Sequence, residues 1–328
     1  MTATGRGGWR PAATLSTLRV RADLLDRARR FFARRDVLEV DTPVLSRAAV
    51  SDPHIASLCT TVTGDAGRLR YLHTSPEYPM KRLLAAYRSD IYQICKVFRD
   101  AEVGRCHNPE FTLVEWYRIG FDTHRLMNDV AELLAELLAG YRPLGPPERL
   151  SYREASLARA GIDPFRDDLG RIRRRIRESG VALPEALGVE RGLWLDLLWA
   201  TCVAPGLGAG QVTFVHDFPP ELAALARIRR GDPDVAERFE AYLDGMELAN
   251  GFHELADAAE QRARFVAELA ARRRAGKSAA PLDERLLAAL EAGLPDCSGV
   301  ALGFDRVAML AAGARGIDDV LSFGFDHA

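Results

Sequence analysis

Residues 235–255, VAERFEAYLDGMELANGFHEL, set Asp244-Gly245 between two runs that alternate in polarity. An Asp-Gly pair suits the left-handed backbone of a two-residue type I′ turn, so this stretch predicts a tight antiparallel hairpin. IYQICKVFR (91–99) and EFTLVEWYRIGF (110–121) are two more strand-like runs, joined by a polar loop, and predict a longer-looped hairpin. QVTFVHDFP (211–219) reads as a strand, and SGVALGFDRVAMLAAG (298–313) as a strand, a glycine break and a helix. Helical patterns are inserted between these hairpins rather than alternating strictly with strands. The expected class is therefore α+β, an antiparallel β-sheet flanked by helices, and not a doubly wound parallel sheet.

The remaining segments fill in the order. Residues 1–14 read as a loose tail rich in Gly, Thr and Pro. LSTLRVRADLLDRARRFFARRD (15–36) has apolar residues at helical spacing, and VLEVDTPVL (37–45) reads as a strand interrupted by Pro43. RLRYLHTSPEY is a strand and loop, PMKRLLAAYRS a short helix, and 124–139 a helix with a Leu and Ala face. RPLGPPERL (142–150) reads as a linker by its Pro and Gly content. The pattern from 151 to about 231 is mainly helical, giving a helical insertion at about 142–210 inside one domain, 15–328. RIRRRIRES (171–179) reads as a solvated basic helix face, with a contact surface for an acidic partner as the alternative. Residues 257–274 and 282–292 are helices.

A formal charge of −2 over 328 residues leaves no global basic field to drive non-specific nucleic-acid binding. The cysteines at 59, 95, 106, 202 and 297 show no CxxC or Cys/His spacing, which argues against zinc and for a reducing, cytoplasmic compartment. The start lacks the apolar core of a signal peptide, and no run reaches the roughly 18 apolar residues of a membrane helix.

Three clusters carry chemistry. Alternation along the second strand puts Phe111, Leu113, Glu115 and Tyr117 on one face. A buried Glu115 needs a partner, which is either an Arg or Lys of a neighbouring strand or a cationic ligand. Arg99 and Arg105 flank a loop with His107, and arginine suits phosphate. In the tight hairpin Tyr242 pairs with Glu247, which makes Glu240 and Glu247 diagonal neighbours. Such like charges either are solvated or hold a cation, and Mg²⁺ suits hard oxygens beside a polyphosphate. Strict alternation sends Asn250 and Glu254 to the opposite face, unless Gly251 marks a bulge. Gly303 breaks the last strand, and Arg306 in the first helical turn either answers an anion or pairs with Asp305 or Asp319.

At these residues the chain resembles class II aminoacyl-tRNA synthetases of the lysyl type. VLEVDTPVL is similar to their first motif, FRDAEVGRCHNPEFTLVEWYR (98–118) to the second and GVALGFDRVAML to the third. TSPEYPMKRLL and MELANGFHEL match the lysyl subgroup, and the resemblance covers about 15–325. Nothing before residue 15 can form an anticodon-binding OB-fold. HNPEFTLVEWYR and PDCSGVALGFDR then resemble most the elongation factor P–lysine ligases, a family paralogous to lysyl-tRNA synthetases.

The resemblance implies a class II catalytic fold and ATP with Mg²⁺. It also implies lysine or (R)-β-lysine as substrate, elongation factor P as acceptor protein, a homodimer, and no tRNA or membrane. It places ATP at Arg99, Asp100, Ala101, Glu102, His107, Phe111, Glu247, Leu248, Gly303 and Arg306, with Arg99 and Arg306 catalytic. It places the amino acid at Ser75, Pro76, Glu77, Glu115, Tyr117, Asn250, Glu254 and Ala301, and the metal at Glu240 and Glu247. Two positions depart from the lysyl pattern. Ala101 stands where the second motif has Glu, with Glu102 the next carboxylate along, and Ala301 stands where lysyl-tRNA synthetases tend to have Gly. The alternatives are a minimal lysyl-tRNA synthetase charging tRNA and an inactive synthetase-like regulatory protein.

Overall fold

The computed structural model describes residues 9–181, 188–278 and 280–328. In chain order its elements begin with α1 (Leu15–Ala33), β1 (Leu38–Glu39), β2 (Leu45–Ser46), β3 (Cys59–Thr61), β4 (Leu69–Leu72), α2 (Glu77–Tyr87), β5 (Ile91–Phe98) and β6 (Glu110–Ile119). They continue with α3 (Thr123–Leu138), β7 (Gly145–Ser151), α4 (Tyr152–Ala160), α5 (Leu169–Glu178), α6 (Arg191–Leu198), β8 (Gln211–Phe218) and β9 (Ile228–Arg229). The last are β10 (Val235–Leu243), β11 (Met246–His253), α7 (Ala258–Arg274), α8 (Glu284–Gly293), β12 (Cys297–Gly303) and α9 (Phe304–Ala312).

The main sheet runs β1-β5-β6-β12-β11-β10-β8-β7, with β9 on β10. From β5 to β8 every neighbour is antiparallel, as the hairpins predict. A parallel strand is added at each end, β1 on β5 and β7 on β8. The break at Pro43 sends the two halves of VLEVDTPVL to different sheets, because β2 joins β4 and β3 in a separate small one.

The stretch 142–150 is not simply a linker. It contains most of β7, an edge strand whose Pro146 and Pro147 fall where the register skips between Gly145 and Glu148. Their missing N–H groups therefore take little from the ladder. Two parallel neighbours need a long crossover, and α4–α6 supply it between β7 and β8. The insertion packs Tyr152, Trp194 and Trp199 against Phe218 of β8 in a separate apolar cluster. The basic run is α5, with Ile172 and Ile176 buried. Arg173 lies over the Trp194 ring, Arg171 pairs with Asp167, and Arg175 donates to Ala160 O, so only part of the run is a solvated face. Of the expected tail, residues 1–8 lie outside the described residues, and Ala12 and Ala13 donate to Ser322 O (2.9 Å) and Leu321 O (3.2 Å).

One face of the sheet carries the core. Val114 and Trp116 of β6, Val300 and Leu302 of β12, and Phe239 and Ala241 of β10 meet α1, α3 and α9 there. Thr14 caps α1 by accepting from Thr17 N (3.2 Å), and Asp122 caps α3 by accepting from Arg125 N (2.8 Å). Phe32 of α1 stacks on Tyr92 at 4.2 Å and meets Trp116 edge-on at 5.4 Å. Within this layer Asp305 is 2% exposed, takes Arg21 of α1 on one oxygen and accepts from Thr112 N (2.6 Å) on the other. Arg21 also lies over the Phe304 ring, so one ion pair ties α1, β6 and α9 together. Removing one partner of a buried pair strands the other charge. Arg21→Met should lower unfolding free energy by about 3 kcal/mol, read by denaturant titration.

Candidate active site

The opposite face of the sheet is a pocket of about 900 Å³. Pairing across the ladder sets its floor in rows. One row runs Gln93, Glu115, Ala301, Asn250, Glu240 across β5, β6, β12, β11 and β10. The next runs Ile91, Tyr117, Gly299, Phe252, Arg238. Gly299 has to lack a side chain: a Cβ there would stand 2.2 Å from the Tyr117 ring and 2.5 Å from Glu254 Oε1.

The tight hairpin turns at Asp244 (φ 51°) and Gly245 (φ 72°), and Tyr242 pairs with Glu247, both as expected. The expected strict alternation beyond that pair fails. Ala241 pairs with Ala249, so Leu248 is an extra residue and the bulge lies there, not at Gly251. Asn250 therefore faces the same side as Glu240, and so do Phe252 and Glu254. Gly251 answers a different need, because a Cβ there would meet the Phe239 ring at 2.5 Å.

At one end the pocket is acidic. Glu115 is buried, and among the described residues it has no Arg or Lys partner. It accepts from Tyr117 Oη (2.7 Å) and Ser75 Oγ (2.8 Å) instead. Burial, reinforced by the Glu77 charge, pushes its carboxyl up to about 8. Lys81, buried on α2, bridges Glu77 and Glu254 at 2.6 Å each. Arg272 of α7 donates to Asp52 O (2.5 Å) and Ile55 O (2.8 Å), which fixes the loop bordering this end.

At the other end the pocket is basic. Arg306 pairs with neither Asp305 nor Asp319. Asp305 is held by Arg21, and Asp319 accepts from Arg315 N and Gly316 N. Its guanidinium donates to Glu247 O (2.7 Å) and to His107 Nε2 (2.8 Å). Arginine can only donate, so the His107 proton is assigned to Nδ1. Burial and the Arg306 charge hold His107 below the usual imidazole value, and it is neutral at pH 7. Arg99 lies 5.1 Å over the Phe111 ring, with its Nη1 3.6 Å from Glu102 Oε1.

Glu240 and Glu247 both line the pocket. Glu240 is already engaged, by Arg238 at 2.5 Å and by the Tyr242 hydroxyl. Among the described residues Glu247 has no protein partner for its carboxylate, and no cluster of three or more His, Cys, Asp or Glu is arranged to hold a metal. Two carboxylates beside a basic, anion-facing end do fit a hard cation completed by ligand oxygens.

Of the expected ATP residues, Arg99, Glu102, His107, Phe111, Glu247, Leu248, Gly303 and Arg306 line this one pocket. So do Ser75, Glu77, Glu115, Tyr117, Asn250, Glu254 and Ala301. Pro76, Asp100 and Ala101 are not on its wall. Asp100 is exposed and its N–H donates to Ala56 O (2.9 Å), and Ala101 is exposed at φ 62°. Sequence reasoning missed Lys81, Arg238 and Gly299. The i, i+4 spacing of Glu77 and Lys81 was a readable sign of the first. The period-two spacing of Arg238 and Glu240 was one of the second.

A carboxyl whose folded pKa lies above its unfolded one binds an extra proton in the native state across that interval. Stability then falls as pH rises between about 4.5 and 8. Glu115→Gln should flatten that slope, by up to about 1.4 kcal/mol per pH unit, in denaturant titrations from pH 5 to 8.

A family model described as "tRNA synthetases class II (D, K and N)" matches residues 8–327. The chain is 48% identical over 326 residues to an elongation factor P–(R)-β-lysine ligase of Vibrio cholerae serotype O1, covering 98% of each chain. A protein of that name from Edwardsiella ictaluri is 48% identical with the same coverage, and one from Salmonella typhi is 46% identical over 323 residues. With the family matched almost end to end and the three motifs gathered around one pocket, the chain belongs to the class II tRNA synthetases of the D, K and N type.

Proposed function

We propose that this chain is an ATP-dependent ligase that activates lysine or (R)-β-lysine as the aminoacyl-adenylate. It then passes the aminoacyl group to a lysine side chain of translation elongation factor P. The observation that carries this reading is a single pocket with an acidic, hydroxyl-rich floor at one end and two arginines at the other. The first suits an ammonium-bearing amino acid and the second a polyphosphate. Near-complete coverage of relatives named as (R)-β-lysine ligases supports the choice of acceptor.

The substrate carboxylate attacks the α-phosphorus of ATP in line, forming the acyl–phosphate bond as pyrophosphate leaves. No side-chain nucleophile is needed. Arg99 holds the α-phosphate, Arg306 and His107 the departing phosphates, and Phe111 stacks on adenine. Mg²⁺, when bound, supplies charge neutralisation on the phosphate oxygens, and Glu240 and Glu247 are the residues that would hold it. Glu77, Glu254 and Tyr117 hold the amino acid by its ammonium groups, with Ser75, Asn250 and Ala301 shaping the walls. In the second step a deprotonated lysine amine of the acceptor attacks the carbonyl, forming the amide and releasing AMP. The exposed Leu38 (59%) and Leu45 (44%) of the first motif support a homodimer face.

Incubation with ATP, (R)-β-lysine and elongation factor P should raise the factor's mass by one lysyl unit. The amino acid should also drive exchange of labelled pyrophosphate into ATP. Charging of lysine tRNA with no change in the factor's mass would overturn the acceptor, and absent exchange would overturn activation. Glu102 is the carboxylate nearest Arg99 at the nucleotide end, so Glu102→Gln should raise the KM for ATP by about three- to tenfold in the exchange assay. The KM for the amino acid should move by less than about twofold.

A further inference from the structure

Lys81 is 2% exposed, and its ammonium reaches both carboxylates that frame the acidic end of the pocket: Glu77 Oε1 at 2.6 Å and Glu254 Oε2 at 2.6 Å. The two acids come from different elements, Glu77 from the first turn of α2 and Glu254 from the residue after β11. Nothing in the adenylate chemistry uses Lys81. Its place is nonetheless specific, because each carboxylate gives it one oxygen and keeps the other. Glu254 Oε1 lies over Gly299, beside the Tyr117 ring, where it is turned to the pocket.

We infer that Lys81 is a positioning residue for the amino-acid site: its ammonium bridges Glu77 and Glu254 and aims the remaining oxygen of each at the substrate. This inference rests on the amino-acid reading of the pocket. Three carboxylates meet here, since Glu115 is the third, and three such acids cannot all stay ionised in a buried site. Glu115 yields, remaining protonated between two hydroxyls. Lys81 answers the other two through its 2.6 Å contacts, and its charge draws the Glu254 carboxyl down against burial, which still holds it up at about 7.

The other groups facing the cluster do not replace it. Tyr117 of β6 and Cys297 of β12 are both pushed toward their neutral forms, chiefly by burial. Glu268 of α7 is itself pushed up to about 7, chiefly by burial, and Tyr78 of α2 is held neutral by burial, so neither supplies a positive charge. His253 of β11 favours the ionised Glu254 but is itself bound to Glu237 (3.1 Å) and Asp296 (2.9 Å). Burial opposes the charge on Lys81 as well, yet Glu254 and Glu77 outweigh it and raise its pKa.

The test is the pH profile of lysine-dependent pyrophosphate exchange from pH 6 to 8.5, with lysine binding measured by calorimetry in parallel. Without the ammonium, the Glu254 carboxyl loses the charge that draws it down and ionises only at higher pH. Lys81→Met should therefore move the acid limb of kcat/KM up by about one pH unit or more. At pH 7 the KM for lysine should rise about fivefold, the change in ionised fraction when a carboxyl at about 7 moves up one unit, while kcat changes far less. Lys81→Arg keeps the charge and should keep the limb in place. If Lys81→Met does not fold, Lys81→Gln is read in the same way. A folded neutral variant with an unmoved limb, even with a raised KM, overturns the proposal, and so does failure of both neutral variants to fold at every pH. A wild-type chain that binds lysine without exchange would sink the activation reading and leave the calorimetric test of Lys81 intact.

Discussion

One extra residue in β11 decides which side chains can meet. If Leu248 alternated regularly instead of bulging, Glu247 and Asn250 would face opposite sides of the sheet, since side chains alternate with a period of two. With it, Glu247, Asn250, Phe252 and Glu254 all turn to the face that holds Glu240, Glu115 and Tyr117. The bulge also keeps Ala249 in register with Leu302 on the core face, so the apolar layer under α3 and α9 is not interrupted. The pocket and the core are two sides of one ladder. A register slip would expose Trp116, Val300 and Phe239 while burying carboxylates against α1 and α3. The cost of burying such charges without partners far exceeds what any single contact supplies.

The pocket is divided electrically as well as by rows. Its buried carboxylates are tolerated because each has a specific answer. Glu115 takes a proton and two hydroxyl donors, Glu77 and Glu254 share Lys81, and Glu240 has Arg238 and Tyr242. The basic end keeps two guanidiniums beside a neutral imidazole. If His107 were protonated, it would place like charges 2.8 Å apart, and Arg306 would lose its acceptor. The neutral His107 therefore turns Arg306 rather than repelling it, and leaves the remaining guanidinium edge for an anion. The two ends are joined across the strands of one sheet, with α2 at the acidic end and α9 and the β5–β6 loop at the basic end.

Much of this was legible in the sequence. The Asp244-Gly245 turn, the alternation of Phe111 through Tyr117 and the glycine break before α9 each follow from local stereochemistry, and each is where it should be. What stayed hidden depends on neighbours that are distant in the chain. The bulge at Leu248 is set by pairing with β10 and β12 together, so Gly251 drew attention by its residue type while the real irregularity had no compositional mark. Prolines made 142–150 look like a linker, because an edge strand with a skipped register is the one strand that tolerates them. Lys81 was passed over inside a helix that was itself correctly placed. Its importance comes from Glu254, 173 positions further on, and no helical periodicity reports such a pair.

The helical insertion is more than cover for the sheet's end. Trp199, just beyond α6, donates its indole N–H to Tyr242 Oη (2.7 Å), and Tyr242 donates its hydroxyl to Glu240. Arg238 closes the arrangement from the other side, donating to Glu240, to Asn250 Oδ1 (3.2 Å) and to Leu222 O (2.7 Å). Buried polar chains of this kind are stable only when every member is satisfied, since each unpaired group in a low-dielectric site is costly. Glu240 thus has its carboxylate held by Arg238 and Tyr242 of β10, and Tyr242 is itself held by Trp199 of the insertion. Displacing Trp199 would free the Tyr242 hydroxyl, which would unsettle the carboxylate and, through Arg238, the amide of Asn250 in the same row. The crossover that joins β7 to β8 is thereby coupled to the pocket floor through hydrogen bonds to buried groups, not through surface contact.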